Sequence, residues 1–364
     1  MATLHIFNPE HDIALASNIS NFTAPHAGRQ LRADLGFLPA LWAEEGDVVL
    51  VENVEYARKK WERLRQRFVP WRGTKCSIGW NNMFHGVEQS VPWDGIKTIS
   101  PWGWDKAIKR ELERKGVPSS LLPSDSQLER IRTLSHRQTA ARLLPLLQTE
   151  GTVGEAVLCE SVDAVEQQLR LHPRLVLKAP WSSSGRGIRF IDKEMNDYHY
   201  GWLRNLLKSQ GGVMAEPYYE KVKDFGMEFE ATDEGIRYLG LSLFHTANGA
   251  YTGNILATEN AKREMISRYI PICLIDEVKE KICDMLWLED YRGPFGVDMM
   301  VVKENSQLSN RQYCQLKLHP CVEINLRRTM GHVALALSPK DDDIRKVMRI
   351  VYEDNIYKLR IRKL

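Results

Sequence analysis

Several features that would assign this chain to a specialised class are missing. Its six cysteines (Cys76, Cys159, Cys273, Cys283, Cys314, Cys321) are scattered and form no CxxC pair. That excludes the usual zinc-site spacing, argues against a disulfide framework, and makes a reducing cytoplasm the expected compartment. Cys314 and Cys321 can face each other across a hairpin, with a reduced buried pair as the plainer reading. No apolar run approaches the ~18 residues of a membrane span, so no membrane partner is expected. The opening "MATLHIFNPEHD" lacks the basic and apolar regions of a secretory signal. Neither sign of charge dominates: 50 Lys+Arg stand against 47 Asp+Glu, so no global field exists to recruit nucleic acid. There is no internal repeat and no low-complexity segment. Two common phosphate-binding patterns, GxxxxGK[ST] and GxGxxG opening a helix, are absent too.

What is present is a chain of 364 residues, 43% hydrophobic, long enough for two or three packed domains. Over roughly residues 1–120, short apolar strands alternate with helical patterns. "TLHIF", "GDVVLVE" (46–52) and "IKTIS" (96–100) read as buried strands, and "VEYARKKWERLRQRF" as a long basic helix. Within "PWGWDKAIKRELERKG" Asp105 can cap a helix. This alternation predicts a parallel α/β layer. Ligands of such layers sit at the carboxyl ends of the strands, which "NPEHD" and "SPWGWD" occupy. The middle reads as helix ("SHRQTAARLLPLL"), strand ("AVLCES"), helix ("DAVEQQLRL"), a hairpin of "RLVLKAP" with "IRFI", and helix ("WLRNLLKSQ"). After "GVMAEPYYE" come strands "MEFEAT" and "IRYLGLSLF", a helix near "LIDEVKEKICDML", the strand pair "GPFGVDMMVV" and "KLHPCVEINLR", and a last helix through "DIRKVMRIVYEDN". The fold class expected is α/β followed by α+β.

Two stretches carry chemistry. In "LVLKAPWSSSGRG" (175–187) an apolar strand ends in Lys178, and a loop poor in side-chain bulk follows. Glycine and serine let backbone approach a ligand and leave N–H groups for phosphate oxygens; the lysine offers a point charge to the same polyphosphate. A plain surface turn would look similar. Over residues 293–327, strands carry Asp298, Glu323 and Asn325, and Mg²⁺ takes such oxygen ligands together with phosphate oxygens. Glu323 and Asn325 are two apart and share a strand face. Arg327 is expected to continue it and to meet a phosphoryl group carrying developing charge.

Taken in order, these motifs resemble the ATP-grasp superfamily over roughly residues 120–340. "LVLKAP" with "SSSGRG" is similar to that family's phosphate lysine and flexible hairpin, "VMAEPYYE" to its adenine-holding strand, "KDFGMEFEA" to its acidic ribose contact, and "FGVD" with "EINLR" to its metal-binding strand pair. The resemblance implies an ATP-grasp fold, two α+β lobes sandwiching ATP, preceded by a parallel-sheet α/β domain. The implied domains are 1–120, 121–215 and 216–364. It implies Lys178 on the ATP phosphates, with Ser183, Ser184, Gly185 and Gly187 as lid, Glu216 and Tyr218 along the adenine, and Asp224 on the ribose. Asp298, Glu323 and Asn325 would hold one or two Mg²⁺ (or Mn²⁺), with Arg327 on the transferred phosphoryl. Arg137 stands where the family often has a second phosphate lysine. The segment "KENSQLSNRQYCQLK" (303–317) reads as a polar surface extension. The implied activity is an ADP-forming ligase that activates a small-molecule or peptide carboxylate as an acyl phosphate for an amine or similar nucleophile, and homodimers are common in the family. A small-molecule kinase on the same fold is one alternative, and a nucleotide-binding module without turnover another.

Other residues carry two readings each. Glu10, His11 and Asp12 can hold the acceptor, or cap and brace a helix. Trp102 and Trp104 can wall a substrate, or pack the core. His245, Asn248 and Tyr251, in what reads as a polar loop "FHTANGAYTGN", and His332 in "RRTMGH" can contact the acceptor. "RKKWERLRQRF" interleaves aromatics with cations as a nucleic-acid face does, but its glutamates favour a solvated helix.

Overall fold

The structure, a computed structural model, describes residues 2–68, 83–87, 93–182, 187–247, 250–285, 288, 291–305 and 314–364. In chain order its elements are β1 (Ala2–Ile6), α1 (His11–Ser17), α2 (His26–Leu35), β2 (Val48–Val51), α3 (Val54–Phe68), β3 (Phe84–Gly86), β4 (Ile96–Pro101), α4 (Lys106–Arg114), α5 (Asp125–Leu134) and α6 (Arg137–Leu147). There follow β5 (Val157–Cys159), α7 (Val162–Leu171), β6 (Arg174–Lys178), β7 (Ile188–Asp192), α8 (Asp197–Gln210), β8 (Val213–Pro217), β9 (Glu220–Thr232) and β10 (Gly235–Ser242). The rest are β11 (Phe244–Ala247), β12 (Ala250–Leu256), α9 (Glu259–Ser267), α10 (Ile272–Cys283), β13 (Gly293–Asn305), β14 (Cys314–Asn325), α11 (Met330–Leu337), β15 (Lys346–Glu353) and β16 (Ile356–Lys363). Among the described residues no helix is long and apolar enough to cross a membrane.

These elements fall into two compact units. One comprises Met1–Arg132, Gly253–Thr258 and Arg327–Leu364; the other comprises Thr133–Thr252 and Glu259–Leu326. Residues 327–364, expected with the last lobe, stand in the first unit.

The first unit holds the expected parallel sheet, in the order β3-β2-β1-β4. β2 reads "VVLV" because both its faces are covered: Val49 and Val51 enter one core cluster with Phe7, Leu35 and Trp61. Val48 and Leu50 enter another with Leu4, Ile99 and Leu112. The first cluster also takes Val333 and Leu337 of α11 and Met348 of β15, so the C-terminal segment is part of this unit's core.

Two expectations are corrected here. The last segment is not a helix. β15 and β16 form an antiparallel hairpin, Lys346 opposite Lys363 through Glu353 opposite Ile356, and β15 pairs with Asn254–Leu256 of β12. Asp354 and Asn355 turn it with φ of 53° and 62°, the left-handed pair of a tight hairpin. "FHTANGAYTGN" is likewise no loop but β11 and β12, joined at an Asn-Gly pair that lies outside the described residues.

The second unit has two antiparallel sheets, β5-β8-β6-β7 and β10-β9-β13-β14. Val165 and Leu203 of α7 and α8 pack on Leu175, Leu177 and Ala215 of the first. The segment after α6 joins the two halves: Val153 N donates to Leu318 O at 2.8 Å and Leu318 N to Gly151 O at 3.1 Å. The supposed polar extension at 303–317 is in good part strand, since Lys303–Asn305 pair with Cys314–Leu316 and lengthen the β13–β14 ribbon; 306–313 lie outside the described residues.

Candidate functional site

Lys178 ends β6, and its buried Nζ donates to Oε2 of Glu216 on β8 at 2.5 Å. The register opposes Val176 to Glu216 and Lys178 to Met214, so the pair are diagonal neighbours within reach of a long side chain. Removing either partner would leave an uncompensated buried charge.

Arg137 opens α6. One of its nitrogens donates to Ala179 O at 2.6 Å and Ser182 Oγ at 2.7 Å, the other to Glu323 Oε1 at 2.7 Å. A single buried guanidinium thus ties the chain just past Lys178 to β14. Ser183, Ser184 and Gly185 lie outside the described residues. Gly187, whose carbonyl accepts from Ala179 N at 2.8 Å, leaves no room for a Cβ, which would run into the Ser182 side chain.

Asp298 on β13 faces Glu323 on β14, and Asn325 Nδ2 donates to Asp298 Oδ2 at 3.0 Å. Two carboxylates and an amide are hard oxygen donors of the kind Mg²⁺ takes, with water or phosphate oxygens completing its shell. Among the described residues no group of three His, Cys, Asp or Glu gathers to hold a metal by itself. Cys321, a free thiol 3% exposed on the same strand, is pushed up by burial. Asp298, Glu216 and Glu323 push the same way and Lys178 opposes them. One sealed thiol therefore lies in the field of four predicted site residues.

His319, which sequence reasoning missed, is fully buried on β14. Neither ring nitrogen has a hydrogen-bond partner among the described residues. Burial first, then the Lys178 charge, hold its imidazole down at about 3. Gly154, with φ of 149°, approaches it so closely that a Cβ there would stand 2.8 Å from Nε2. The available signal is its even spacing from Cys321 and Glu323.

The remaining predicted residues of this unit have other partners. Asp224 Oδ2 accepts from Lys221 Nζ at 2.6 Å and from Thr246 Oγ1 at 2.5 Å. The Arg174 guanidinium lies 3.8 Å over the Tyr218 ring. His245, exposed, has Nδ1 3.4 Å from Lys223 Nζ, and burial pushes the Tyr251 hydroxyl up. Asn248 lies outside the described residues.

In the first unit, Glu10, His11 and Asp12 each meet a different partner. Glu10 Oε1 accepts from Arg32 Nη1 at 3.1 Å. Glu10 is itself the N-cap residue of α1 and its side chain makes no capping bond, so Asp12 does not cap that helix. His11, 1% exposed, places Nδ1 3.3 Å from Asp105 Oδ2, while Asp105 Oδ1 caps α4 as expected, at 2.8 and 2.9 Å. Asp12 takes Arg327 bidentately, at 2.6 and 2.7 Å. This corrects the reading of Arg327: β14 ends at Asn325, so the arginine does not continue the face of the acidic strand. Trp102 packs in the core, edge-on to Phe7 at 4.9 Å; Trp104 is half-buried against the other cluster. His332 completes a capping box with Thr329 at the start of α11, its Nδ1 accepting from Thr329 N at 3.1 Å.

The chain matches no family model and no curated protein. Solved structures match along nearly all of it. N5-carboxyaminoimidazole synthetase from Staphylococcus aureus, complexed with ADP, is 13% identical over 97% of this chain and 83% of its own, with a TM-score of 0.48. A protein of Archaeoglobus fulgidus, provisionally described as of the ATP-grasp superfamily, is 13% identical over 100% of both chains at 0.46. The biotin carboxylase domain of the Hydrogenobacter thermophilus 2-oxoglutarate carboxylase, with MgADP, ADP and bicarbonate, is 13% identical over 96% of this chain and 74% of its own, also at 0.46. The chain is similar to ATP-grasp proteins.

Proposed function

We propose that the chain is an ATP- and Mg²⁺-dependent ligase that activates a carboxylate and joins it to an amine or similar nucleophile. The observation that supports this most is the Arg137 guanidinium, which holds Ala179 O and Ser182 Oγ, just past Lys178, together with Glu323 Oε1, opposite Asp298. In this reading Lys178 and Arg137 receive the ATP phosphates under the lid Ser183, Ser184, Gly185 and Gly187. Glu216 and Tyr218 lie along the adenine, and Asp224 binds the ribose. Asp298, Glu323 and Asn325 hold the metal, which supplies charge neutralisation at the phosphate oxygens. A carboxylate oxygen attacks the γ-phosphorus and ADP leaves; the nucleophile then attacks the acyl carbon and inorganic phosphate leaves. Positioning and charge neutralisation do most of the work in such transfers. Lys178 and Arg137 are held by Glu216 and Glu323, so nucleotide binding exchanges carboxylate contacts for phosphate ones.

The test is thermal unfolding with and without ATP and Mg²⁺. A ligand that binds only the folded state stabilises it, by about 2.7 kcal/mol at a hundred times Kd. Wild-type protein is expected to show the shift and Lys178→Ala to lose most of it. No shift at millimolar ATP and Mg²⁺ would sink the reading.

A further inference from the structure

The parallel sheet of the first unit has a point where its winding reverses. β2 and β3 lie on one side of β1 and β4 on the other, and ligands of open α/β sheets bind outside the carboxyl ends of the strands at such a point. A cavity of about 420 Å³ lies there, within the range of small-molecule sites. Asn8 and Glu10, which follow β1, and Asp105, which follows β4, line it together with α4 and the chain around Phe22.

The cavity is polarised from floor to mouth. At its floor Asn8 and Asp105 are 1% and 3% exposed, and both are satisfied. Asn8 Nδ2 donates to Gly103 O at 2.8 Å, and Asp105 is taken up by His11 and by the cap of α4. Glu10 is not satisfied: Oε1 accepts from Arg32, but Oε2 is buried and has no hydrogen-bond partner among the described residues. Arg32 is shared, since its other terminal nitrogen donates to Glu111 Oε1 at 2.9 Å. One guanidinium thus answers two carboxylates, and burial pushes the Glu10 carboxyl up. A buried acceptor left unmade costs free energy that a donor-bearing ligand would recover. At the mouth cations prevail, for α4 brings the exposed Arg114 and Arg110 to the lining, the latter also donating to Glu113 Oε2 at 3.2 Å, beside Glu111, which Arg32 already holds.

We propose that this cavity binds a small zwitterion, with a primary ammonium group inward on Glu10 Oε2 and a carboxylate outward on Arg110 and Arg114. Phe22 and Ile108 face its apolar body. Every lining residue belongs to the first unit. Its assignment as the place of the amine or carboxylate substrate rests on the ligase reading, which it deepens by naming the substrate class as an amino acid or short peptide.

The experiment is a thermal-shift panel without nucleotide, using free L-amino acids and dipeptides at millimolar concentration, each beside its N-acetylated and its C-amidated form. At least one free zwitterion is expected to raise the Tm, its N-acetylated form to do nothing, and its amide to retain part of the effect. Glu10→Gln is expected to abolish the shift. Arg114→Ala, at an exposed position that folding does not need, should weaken binding about five- to tenfold. No shift with any free amino acid or dipeptide overturns the proposal, and so does equal binding of free and N-acetylated forms or an unchanged affinity in Arg114→Ala. Lys178→Ala separates the two ideas. It should remove most of the ATP shift and leave the zwitterion shift intact, so either can fail while the other stands.

Discussion

A histidine sealed in the core beside a lysine makes a measurable statement about pH. His319 has a folded-state value of about 3, against about 6.5 in an unfolded chain. Between those limits the unfolded state binds the extra proton. This group's contribution to stability is therefore full above pH 6.5 and is lost as pH falls toward 3, with a slope of about 1.4 kcal/mol per pH unit. Urea titrations from pH 7 to pH 4 should show that slope in the wild type and a shallower one in His319→Leu; equal slopes would refute the assignment. The Arg327–Asp12 fork makes a second statement. A double-mutant cycle of Arg327→Ala and Asp12→Asn should give a coupling of about 0.5–3 kcal/mol, and additivity within error would show the fork to be energetically idle. Candidate residues can be picked out of the sequence one at a time. Lys178, Asp298, Glu323 and Asn325 sit in short motifs whose chemistry is local. Their partners are not legible, because Arg137 reaches Glu323 across 186 positions and Arg327 reaches Asp12 across 315, and nothing local encodes such distances.

At the scale of elements, strands with apolar continuity and helices with clear caps are legible, and failures gather at hairpins. "DIRKVMRIVYEDN" has charges at helical spacing, which masks the alternation of Leu359 and Ile361 beyond it. The deciding residues are Asp354 and Asn355, both left-handed, and an Asp-Asn pair between two β-branched runs is a hairpin signal of the same kind as Asn-Gly. The Asn-Gly at 248–249 is the stronger form of that signal, and the polar residues around it disguise it as a loop. Asn355→Gly should keep the hairpin and raise stability by up to about 1 kcal/mol, because glycine meets no Cβ penalty at positive φ. Asn355→Val should lower it by about 1–2 kcal/mol. Chemical denaturation of the two variants checks both signs; if valine were neutral, the turn would not have the conformation described.

For the whole molecule, the sequence conveys the order of layers but not which pieces share a core. Boundaries drawn at composition shifts assume that neighbours in the chain are neighbours in space. Here Val333, Leu337 and Met348 complete a cluster begun by Phe7 and Val49, and the first unit is built from three separate segments. A fragment comprising residues 1–132 alone should therefore fail to fold cooperatively, showing no sharp thermal transition and binding a hydrophobic dye. A cooperative transition in that fragment would show that the late segments only decorate the unit.

The same discontinuity has a consequence during synthesis. The ribosome makes the parallel sheet well before the hairpin that finishes its core. At roughly 5–20 residues per second, residues 133–364 take about ten to fifty seconds to emerge. Through that interval Phe7, Val49 and Trp61 wait on the nascent chain without the side chains that will cover them. The N-terminal part is thus a client for a holdase through that interval, and translational pausing after it would lengthen the exposure rather than allow it to fold.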